Sequence, residues 1–537
     1  MKPKLRNKTH AHAHTYKKMW MGDYRPCRKH IKFLCSAAAL FSISLWMILL
    51  VSFSNNSSSL SPLPPTLVPH TAPRQHKQRT TLSSTTNRDG GPQDVIQPNP
   101  LQEVISQLPH QGDKPLFVPK EKFDNLMLEW RQIMRQPDER GRRPAPSPCG
   151  TKIDPLRAER HLNLSSPLSY DLHFGDLGSS LPDIYVALNL KDAAHLLPSM
   201  VLQLTSAMRL VGTQRFFLSI FESDSIDQTV PLLHKWGDLL SDLGVAHFFA
   251  HGRDVVRRKE EHRIHFLSTV RNLALEPLRV HQRANFRYDR ILFLNDIFFC
   301  AADVLELLHQ SFQQKADMTC AVDHTYDNNL EEITFYDTWV ARDVTGGEFK
   351  AQIPSMLQHP ESKRLLEQGL PFQVSCCWNG MVVLRAEPFY QHHPASRAEG
   401  GELQFRREPT EILFPPDPRY AYVQHHFPRE ELQVYAQCSA SEVNVLCKDM
   451  IYLGYSRFMV VPFVRVAYFR THHYTVRKEM FPLNVPFNPM EDNKVAFVPP
   501  PKTMHCIPLD SNRRRTPDGL NGRVFLPQKK DELNAVP

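Results

Sequence analysis

The residue with the clearest chemical prospect is Asp296. The run Arg290-Ile-Leu-Phe-Leu294 is rich in strand formers and ends in Asn295-Asp296, with the apolar Ile297-Phe-Phe behind it. A carboxylate at the lip of an apolar strand is costly unless it is paired, and a divalent cation bridging it to a nucleotide diphosphate is one partner that satisfies it. The other use of Asp296 is to end the strand, as Asp often does. Asp303 is assigned to capping the following helix. Glu222 ends a second apolar strand, where nucleoside recognition is expected, and Asp224 and Asp227 after it read as turn formers. Arg263 and Arg271 share a predicted helix whose first half faces the same region, and fixed guanidinium groups can supply charge to a departing diphosphate. An exposed helix charge is the alternative for Arg263. Trp378-Asn379-Gly380 precedes the apolar Met381-Val-Val-Leu. Gly permits close backbone approach and Trp offers a flat face to a pyranose, with core packing as its competing use. Tyr336-Asp337-Thr338-Trp339 sets an acid beside aromatics, which suits a hydroxyl-rich ligand or a buttress for the site.

These residues need a scaffold that brings strand ends together. Asp183–Leu190, Phe216–Phe221, Val245–Ala250 and Arg290–Leu294 read as strands. Between them, Ala194–Leu210 reads as a helix closed by Gly212, a second helix runs to Leu243 before Gly244, and a third spans Arg263–Val280. Strands separated by helices of ten or more residues imply a mostly parallel sheet covered on both faces, an α/β nucleotide-binding architecture. Ligands of such open sheets bind at the carboxyl ends of the strands, where the polar residues named above are placed.

With 537 residues the chain is long enough for one large core and more than one domain. Its net charge of +8 is concentrated at the start: residues 1–32 carry ten Lys or Arg and one acid, and the remainder is nearly balanced. No broad basic surface interleaved with aromatics remains, so nucleic acid is not an expected partner. Phe33–Phe53 is a stretch of 21 residues without a charge, enough to cross a hydrocarbon layer of roughly 30 Å as a helix. Its basic N-terminal and uncharged C-terminal flanks predict a type II anchor, with a cytosolic tail at 1–32 and everything after 53 lumenal. Residues 54–150 read as a disordered, semi-extended stem rich in Pro, Ser and Thr. Within it, Phe123, Leu126, Met127, Trp130 and Met134 fall at helical spacing over 121–136, a helix that docks on the main domain or self-associates. The catalytic-sized segment is 151–480, and 481–537 is an irregular tail. Eight Cys follow the anchor, an even number suited to a disulfide-permitting compartment, and a brace between Cys438 and Cys447 is one expected pairing. Asn55, Asn56 and Asn163 lie in glycosylation sequons.

The run YDRILFLNDIFFCAADVLELL resembles the stretch around the metal-binding aspartate of the fungal capsule-associated, or cryptococcal-type, α-1,3-mannosyltransferase family. FLSIFESDSIDQT, RIHFLSTVRNLALEPL, TFYDTWVARD and VSCCWNGMVVLRAEPF resemble further blocks of that family in the same order, followed by ASEVNVLCKDM and VRVAYF, so that the likeness covers about 180–470. The resemblance implies a single GT-A-like catalytic domain. It further implies retaining transfer of mannose from GDP-mannose to a glycan or polysaccharide acceptor through an α-1,3 linkage, with a divalent metal, Mn²⁺ by expectation, in the Golgi membrane. It also implies a donor-contacting pair at Arg271-Asn272, with Asn295 beside the metal aspartate. Glu442, in Ser441-Glu-Val-Asn-Val-Leu, is then the acid under the transferred sugar, with a surface helix acid as its other use. A common GT-A metal motif has two aspartates flanking one residue, whereas this chain has Leu294-Asn295-Asp296. The resemblance therefore looks to His472 and His473, beyond the last apolar strand, for another metal ligand; two adjacent loop His are also often only solvated.

Two other functions fit the same residues. One is a non-catalytic lumenal glycan-binding or scaffold protein on the same fold, favoured by the missing first aspartate. The other is a transferase using a different sugar nucleotide.

Overall fold

The computed structural model describes residues 182–393 with short gaps at 253–254, 259–260 and 354, then 401–406, 441–480 and 494–505, together with 118–136 and a few positions such as 104, 147–149 and 523–525. All of these belong to one compact unit, 94–537; the other unit, 1–93, lies outside the described residues. The expected cytosolic tail and membrane anchor, the sequons at Asn55, Asn56 and Asn163, and Cys438 also lie outside them. Among the described residues, no helix is long and apolar enough to cross a membrane.

The chain first forms two short helices, α1 (Lys120–Leu126) and α2 (Leu128–Ile133), so the expected single helix is split at Met127. Then follow β1 (Ile184–Leu190), α3 (Leu197–Val211), β2 (Phe216–Glu222), α4 (Thr229–Leu243) and β3 (Ala246–His251). Next come α5 (Arg263–Ala274), α6 (Glu276–Arg283), β4 (Arg290–Leu294), α7 (Ala301–Gln313), β5 (Met318–Asp327), β6 (Glu332–Phe335) and β7 (Arg342–Asp343). After them are α8 (Pro360–Glu367), β8 (Phe372–Cys376), β9 (Met381–Arg385), α9 (Glu442–Tyr452), β10 (Phe458–Ala467) and α10 (Arg470–Thr475), and a separate pair of strands, β11 (Thr503–His505) with β12 (Arg523–Phe525). The expected helix 263–280 is two helices, because Pro277 has no N–H to continue the ladder and instead occupies the first turn of α6.

Ten strands form one mixed sheet in the order β3-β2-β1-β4-β9-β5-β10-β8-β7, with β6 on β5. β3, β2, β1 and β4 are mutually parallel, the expected α/β half. Beyond β4 the sheet is mixed: β9 inserts antiparallel between β4 and β5, and β10 runs parallel to β5. The strand that enters beside β4 follows the turn Trp378-Asn379-Gly380 rather than a helical crossover, so it need not be parallel. The order reverses at β1 and β4, which opens a crevice beyond their carboxyl ends.

One apolar core lies under α3, α4 and α7, and a second lies under α5, α6 and α9. The segment expected to be a stem is partly folded onto this unit. Phe123, Met127 and Trp130 are buried, the Arg209 guanidinium lies 5.1 Å from the centre of the Phe123 ring, and the His281 ring nitrogen Nε2 is 3.0 Å from the Val104 carbonyl. Cys149 is joined to Cys300, Cys320 to Cys377, and Cys376 to Cys447. The expected brace between Cys438 and Cys447 is thus corrected: Cys447 ties α9 to the end of β8.

Candidate functional site

Asp296 stands exposed just past the end of β4. Its carboxylate has no side-chain hydrogen-bond partner among the described residues. Protein crowding around the cleft desolvates it enough to raise its pKa above the ordinary carboxylate value, opposed by the positive charges of His195, Arg263 and Arg271. Those three residues come from three places: the turn after β1, the first residue of α5, and the last turn of α5. A strand-end acid therefore sits near two guanidinium groups and an imidazole without being ion-paired, an arrangement open to a further ligand.

Asn295 is used differently from its neighbour. Its backbone N–H donates to the Gly380 carbonyl at 2.9 Å, its amide oxygen accepts from Trp378 Nε1 at 3.0 Å, and its amide nitrogen donates to the Tyr468 hydroxyl at 3.3 Å. Tyr468 in turn donates to Asp323 Oδ2 at 3.3 Å. Asp323 is fully buried on β5, and its other oxygen accepts from the Asp337 backbone N–H at 3.2 Å. The Asp337 carboxylate accepts from the backbone N–H of Asn379 at 3.1 Å. Burial raises the Asp323 carboxyl well above its usual range, with the Asp337 charge adding to the effect. Burial likewise pushes Asp337 up to about 6, opposed by the hydrogen bond from Asn379 and by Arg271. Two acids packed together at one end of β5 thus hold protons more tightly than isolated carboxyls do.

The turn that carries Asn379 requires left-handed backbone, with φ of 54° at Asn379 and 77° at Gly380. A Cβ on Gly380 would come within 3.2 Å of Ile297 and 3.3 Å of Val466, so the glycine also allows β4, β9 and β10 to approach. Asn379 is fully buried and donates from its amide to the Ala321 carbonyl at 2.7 Å.

Behind this edge lies a buried ion pair. Arg271 Nε is 3.2 Å from Glu442 Oε1, with both side chains nearly inaccessible. The guanidinium lies 4.3 Å from the centre of the Trp378 ring and 5.5 Å from those of Phe293 and Phe405. Burial lowers the Arg271 pKa, partly offset by the charge of Glu442. Arg271 Nη1 and Glu442 Oε2 are buried with no hydrogen-bond partner among the described residues. Glu442 is the first residue of α9, where the unsatisfied N–H groups favour an anion, and Ser441 caps the helix by accepting from Asn444 N–H at 3.2 Å. The helix is fixed further along by Cys447 and by the pairing of Arg406 with Asp449 at 2.6 Å.

Several expected contacts take other partners. Trp378 is a core residue with Arg271 over its ring, and does not offer that face to a sugar. Asn272 exchanges two hydrogen bonds with the Phe405 backbone, at 2.7 and 2.9 Å, so its amide pins the segment 401–406 rather than lying free beside Arg271. Glu222 is buried; it accepts from Ser225 N–H at 2.5 Å and lies 3.4 Å from His251 Nδ1, which commits its carboxylate to the turn after β2. Asp303 accepts from Cys300 N–H at 2.8 Å at the start of α7, as a capping residue should, and from Arg477 at 2.6 and 2.8 Å. Tyr336 is 46% exposed and its ring centre is 4.6 Å from that of Tyr468.

The two histidines part company. His473 is buried, and together with Cys300 and Asp303 it forms a group whose potential ligand atoms lie within 4.8 Å of one another; Asp296 is not a member. Cys300 is in a disulfide and Asp303 is held by Arg477, so that group has no free thiolate or carboxylate to give a cation. Burial lowers the His473 pKa well below its usual value. His472 is half-buried, its ring centre 5.9 Å from that of Tyr326 and 5.0 Å from that of Phe469. Neither ring is placed in a ligand set with Asp296.

Three residues of this edge escaped the sequence reading. His195 carried no local pattern. Tyr468 follows the last apolar strand, and an acid directly after the largely apolar Met318–Val322 run was a signal for Asp323.

The family model described as Cryptococcal mannosyltransferase 1 matches residues 183–449. An alpha-1,3-mannosyltransferase of Cryptococcus neoformans var. neoformans is 25% identical over 410 residues, covering 68% of this chain and 81% of that protein. Among solved structures, a TarS fragment from S. aureus in complex with UDP has 12% identity and a TM-score of 0.27, covering 53% of this chain and 60% of its own. The mannosyltransferase PcManGT from Pyrobaculum calidifontis in complex with GDP-Man and Mn²⁺ has 9% identity and a TM-score of 0.29, covering 69% of this chain and 68% of its own. Scores this low establish no correspondence of residues or ligands. The match across β1 to α9 spans the strand-end acid, the acid pair and the buried Arg271–Glu442 pair, and on it the chain belongs to the cryptococcal mannosyltransferase family.

Proposed function

We propose that this protein transfers mannose from GDP-mannose to a hydroxyl of a glycan or polysaccharide, with retention and through an α-1,3 linkage, on a GT-A-like domain. Mannosyl transfer is the activity of the family to which the chain belongs. The observation that carries the assignment to this edge is the exposed Asp296 carboxylate, unpartnered among side chains yet surrounded by His195, Arg263 and Arg271.

A hard divalent cation, Mn²⁺ by expectation, would suit an exposed carboxylate, because such ions prefer oxygen ligands. Asp296 would hold it, and when bound it would neutralise charge on the diphosphate. The chain's own groups do the rest. Arg263, at the mouth, and Arg271, with its unpartnered Nη1, attract and orient the diphosphate. Glu442 Oε2 is free to accept a sugar hydroxyl or to stabilise positive charge developing at the anomeric carbon. Tyr336 and Asp337 line the acceptor side. The acceptor oxygen attacks the anomeric carbon from the face the diphosphate leaves; the new glycosidic bond forms as the carbon–phosphate-oxygen bond breaks, and the acceptor proton passes to the departing GDP.

The three disulfides among the described residues suit an oxidising compartment and support a lumenal domain tethered to the Golgi membrane by 33–53. A donor panel assayed with Mn²⁺ and with chelator tests the reading. Sugar release is expected from GDP-mannose above other sugar nucleotides, and an Asp296→Ala protein as active as the wild type would overturn the assignment.

A further inference from the structure

The ends of β5 and β10 carry aromatic rings that the core does not cover. Tyr326, near the end of β5, is 40% exposed and Phe469, just past β10, is 55% exposed. The His472 ring neighbours both, its centre 5.9 Å from that of Tyr326 and 5.0 Å from that of Phe469. Tyr468, next to Phe469 in the chain, pairs its ring with exposed Tyr336 at 4.6 Å and contacts Asn295 through its hydroxyl at 3.3 Å. The rings form two groups, and one of them contacts Asn295, the residue beside Asp296.

We infer that Tyr326, Phe469 and His472, continued by Tyr336 and Tyr468, form a stacking subsite for an oligosaccharide acceptor longer than a single sugar. Large exposed rings gathered at one place mark a binding surface, whereas apolar residues exposed singly do not. The C–H faces of a pyranose match aromatic faces, and the hydroxyl and imidazole tips among these rings answer its hydroxyls. Position separates this surface from the donor side. The crevice at the topological switch lies between β1 and β4, while the rings sit at β5 and β10, beyond β9 in the sheet order. Two ring groups in succession suit a chain of sugars better than one. His472 is thereby a stacking residue of the acceptor side instead of a metal ligand.

The inference rests on the proposed function only for the identity of the sugar. Isothermal titration of the full chain with α-1,3-mannotriose and with methyl α-mannoside, without donor, tests it apart from turnover. The trisaccharide is expected to bind at least about tenfold more tightly, a difference of about 1.4 kcal/mol. Phe469→Ala and Tyr326→Ala should each remove most of that ratio, while Tyr326→Phe, which keeps the ring, should retain it. Equal affinity of the two sugars for wild type, no binding of either, or an undiminished ratio in both alanine variants would overturn the subsite. Failure of GDP-mannose turnover alongside an intact binding ratio would remove the proposed reaction and leave the subsite standing.

Discussion

The carboxyl ends of β2 and β4 each present an acid at the same edge of the sheet, and the two acids have opposite fates. Glu222 is buried, bonded to Ser225 N–H and close to His251, so its charge is spent on closing its own turn. Asp296 is exposed, has no side-chain partner among the described residues, and feels Arg263, Arg271 and His195 only at longer range. Position at a strand end is therefore not what makes a candidate ligand. The difference is whether the neighbouring chain has already satisfied the carboxylate, and only the folded structure decides that.

The sharpest way to break this comparison is to neutralise both acids. Asp296→Asn should lower mannosyl transfer by about a thousandfold or more, the scale of losing a fixed electrostatic group at the reacting charge, with little change in melting temperature. Glu222→Gln should act in reverse: a buried acceptor loses its charge, stability falls by about 1–3 kcal/mol, and specific activity of the remaining folded protein changes little. Steady-state rates beside thermal melts of both variants decide it, and equal activity losses would erase the distinction.

A next test concerns the buried pair behind the edge. Removing one partner of a buried ion pair typically costs about 3–5 kcal/mol, because the other charge is left uncompensated. Glu442→Gln should therefore destabilise the fold by an amount of that order and reduce transfer together. Arg271→Met, which keeps a long side chain over Trp378 without the charge, should recover much of the lost stability when combined with Glu442→Gln, but none of the activity. A double-mutant cycle that is additive in stability would show that the two groups do not interact.

The parallel half of the fold was legible because it is written locally. Strand formers, Gly212 and Gly244 at helix ends, and the apolar lead into Asn295-Asp296 all lie within a few residues of what they determine. The candidate site was legible in its residue types and much less so in its partners. Trp378 reads equally well as a platform or as core until Arg271 is found over its ring, and Asn272 reads as a ligand contact until the Phe405 backbone claims its amide. The adjacent His472 and His473 could not be separated by sequence, because the direction of each ring is set by α10 and by what packs on it. Asp323 pairs with residues 14 and 145 positions away, a relation no spacing rule contains.

The buried acids near β5 give a pH test of intermediate size. Burial raises Asp337 from 3.8 to about 6, so the folded chain holds its proton where the unfolded chain has released it. Its contribution to stability is thus fully present below about pH 4 and is lost as pH rises to about 6, by up to about 3 kcal/mol. Measured as the difference from Asp337→Asn across this window, wild-type stability should fall with rising pH and then level off. A difference that stays flat or rises would mean that Asp337 is ionised in the fold like an ordinary surface acid.

The smallest effect returns to the comparison at the end of β4. Asn295 behaves as Glu222 does, giving its side chain to Trp378 and Tyr468, which leaves Asp296 alone to face outward. In Tyr468→Phe the hydroxyl that joins Asn295 to Asp323 is lost, and each is left one partner short. A net loss of about 1 kcal/mol is expected for such a bond, seen as a melting temperature lower by a few degrees at most. The more telling readout is catalytic: if Asn295 positions its neighbour, the variant should need more divalent cation for half-maximal rate at an unchanged donor requirement. An unchanged metal requirement would confine Asn295 to holding β4 against β9 and leave Asp296 to be positioned by the strand alone.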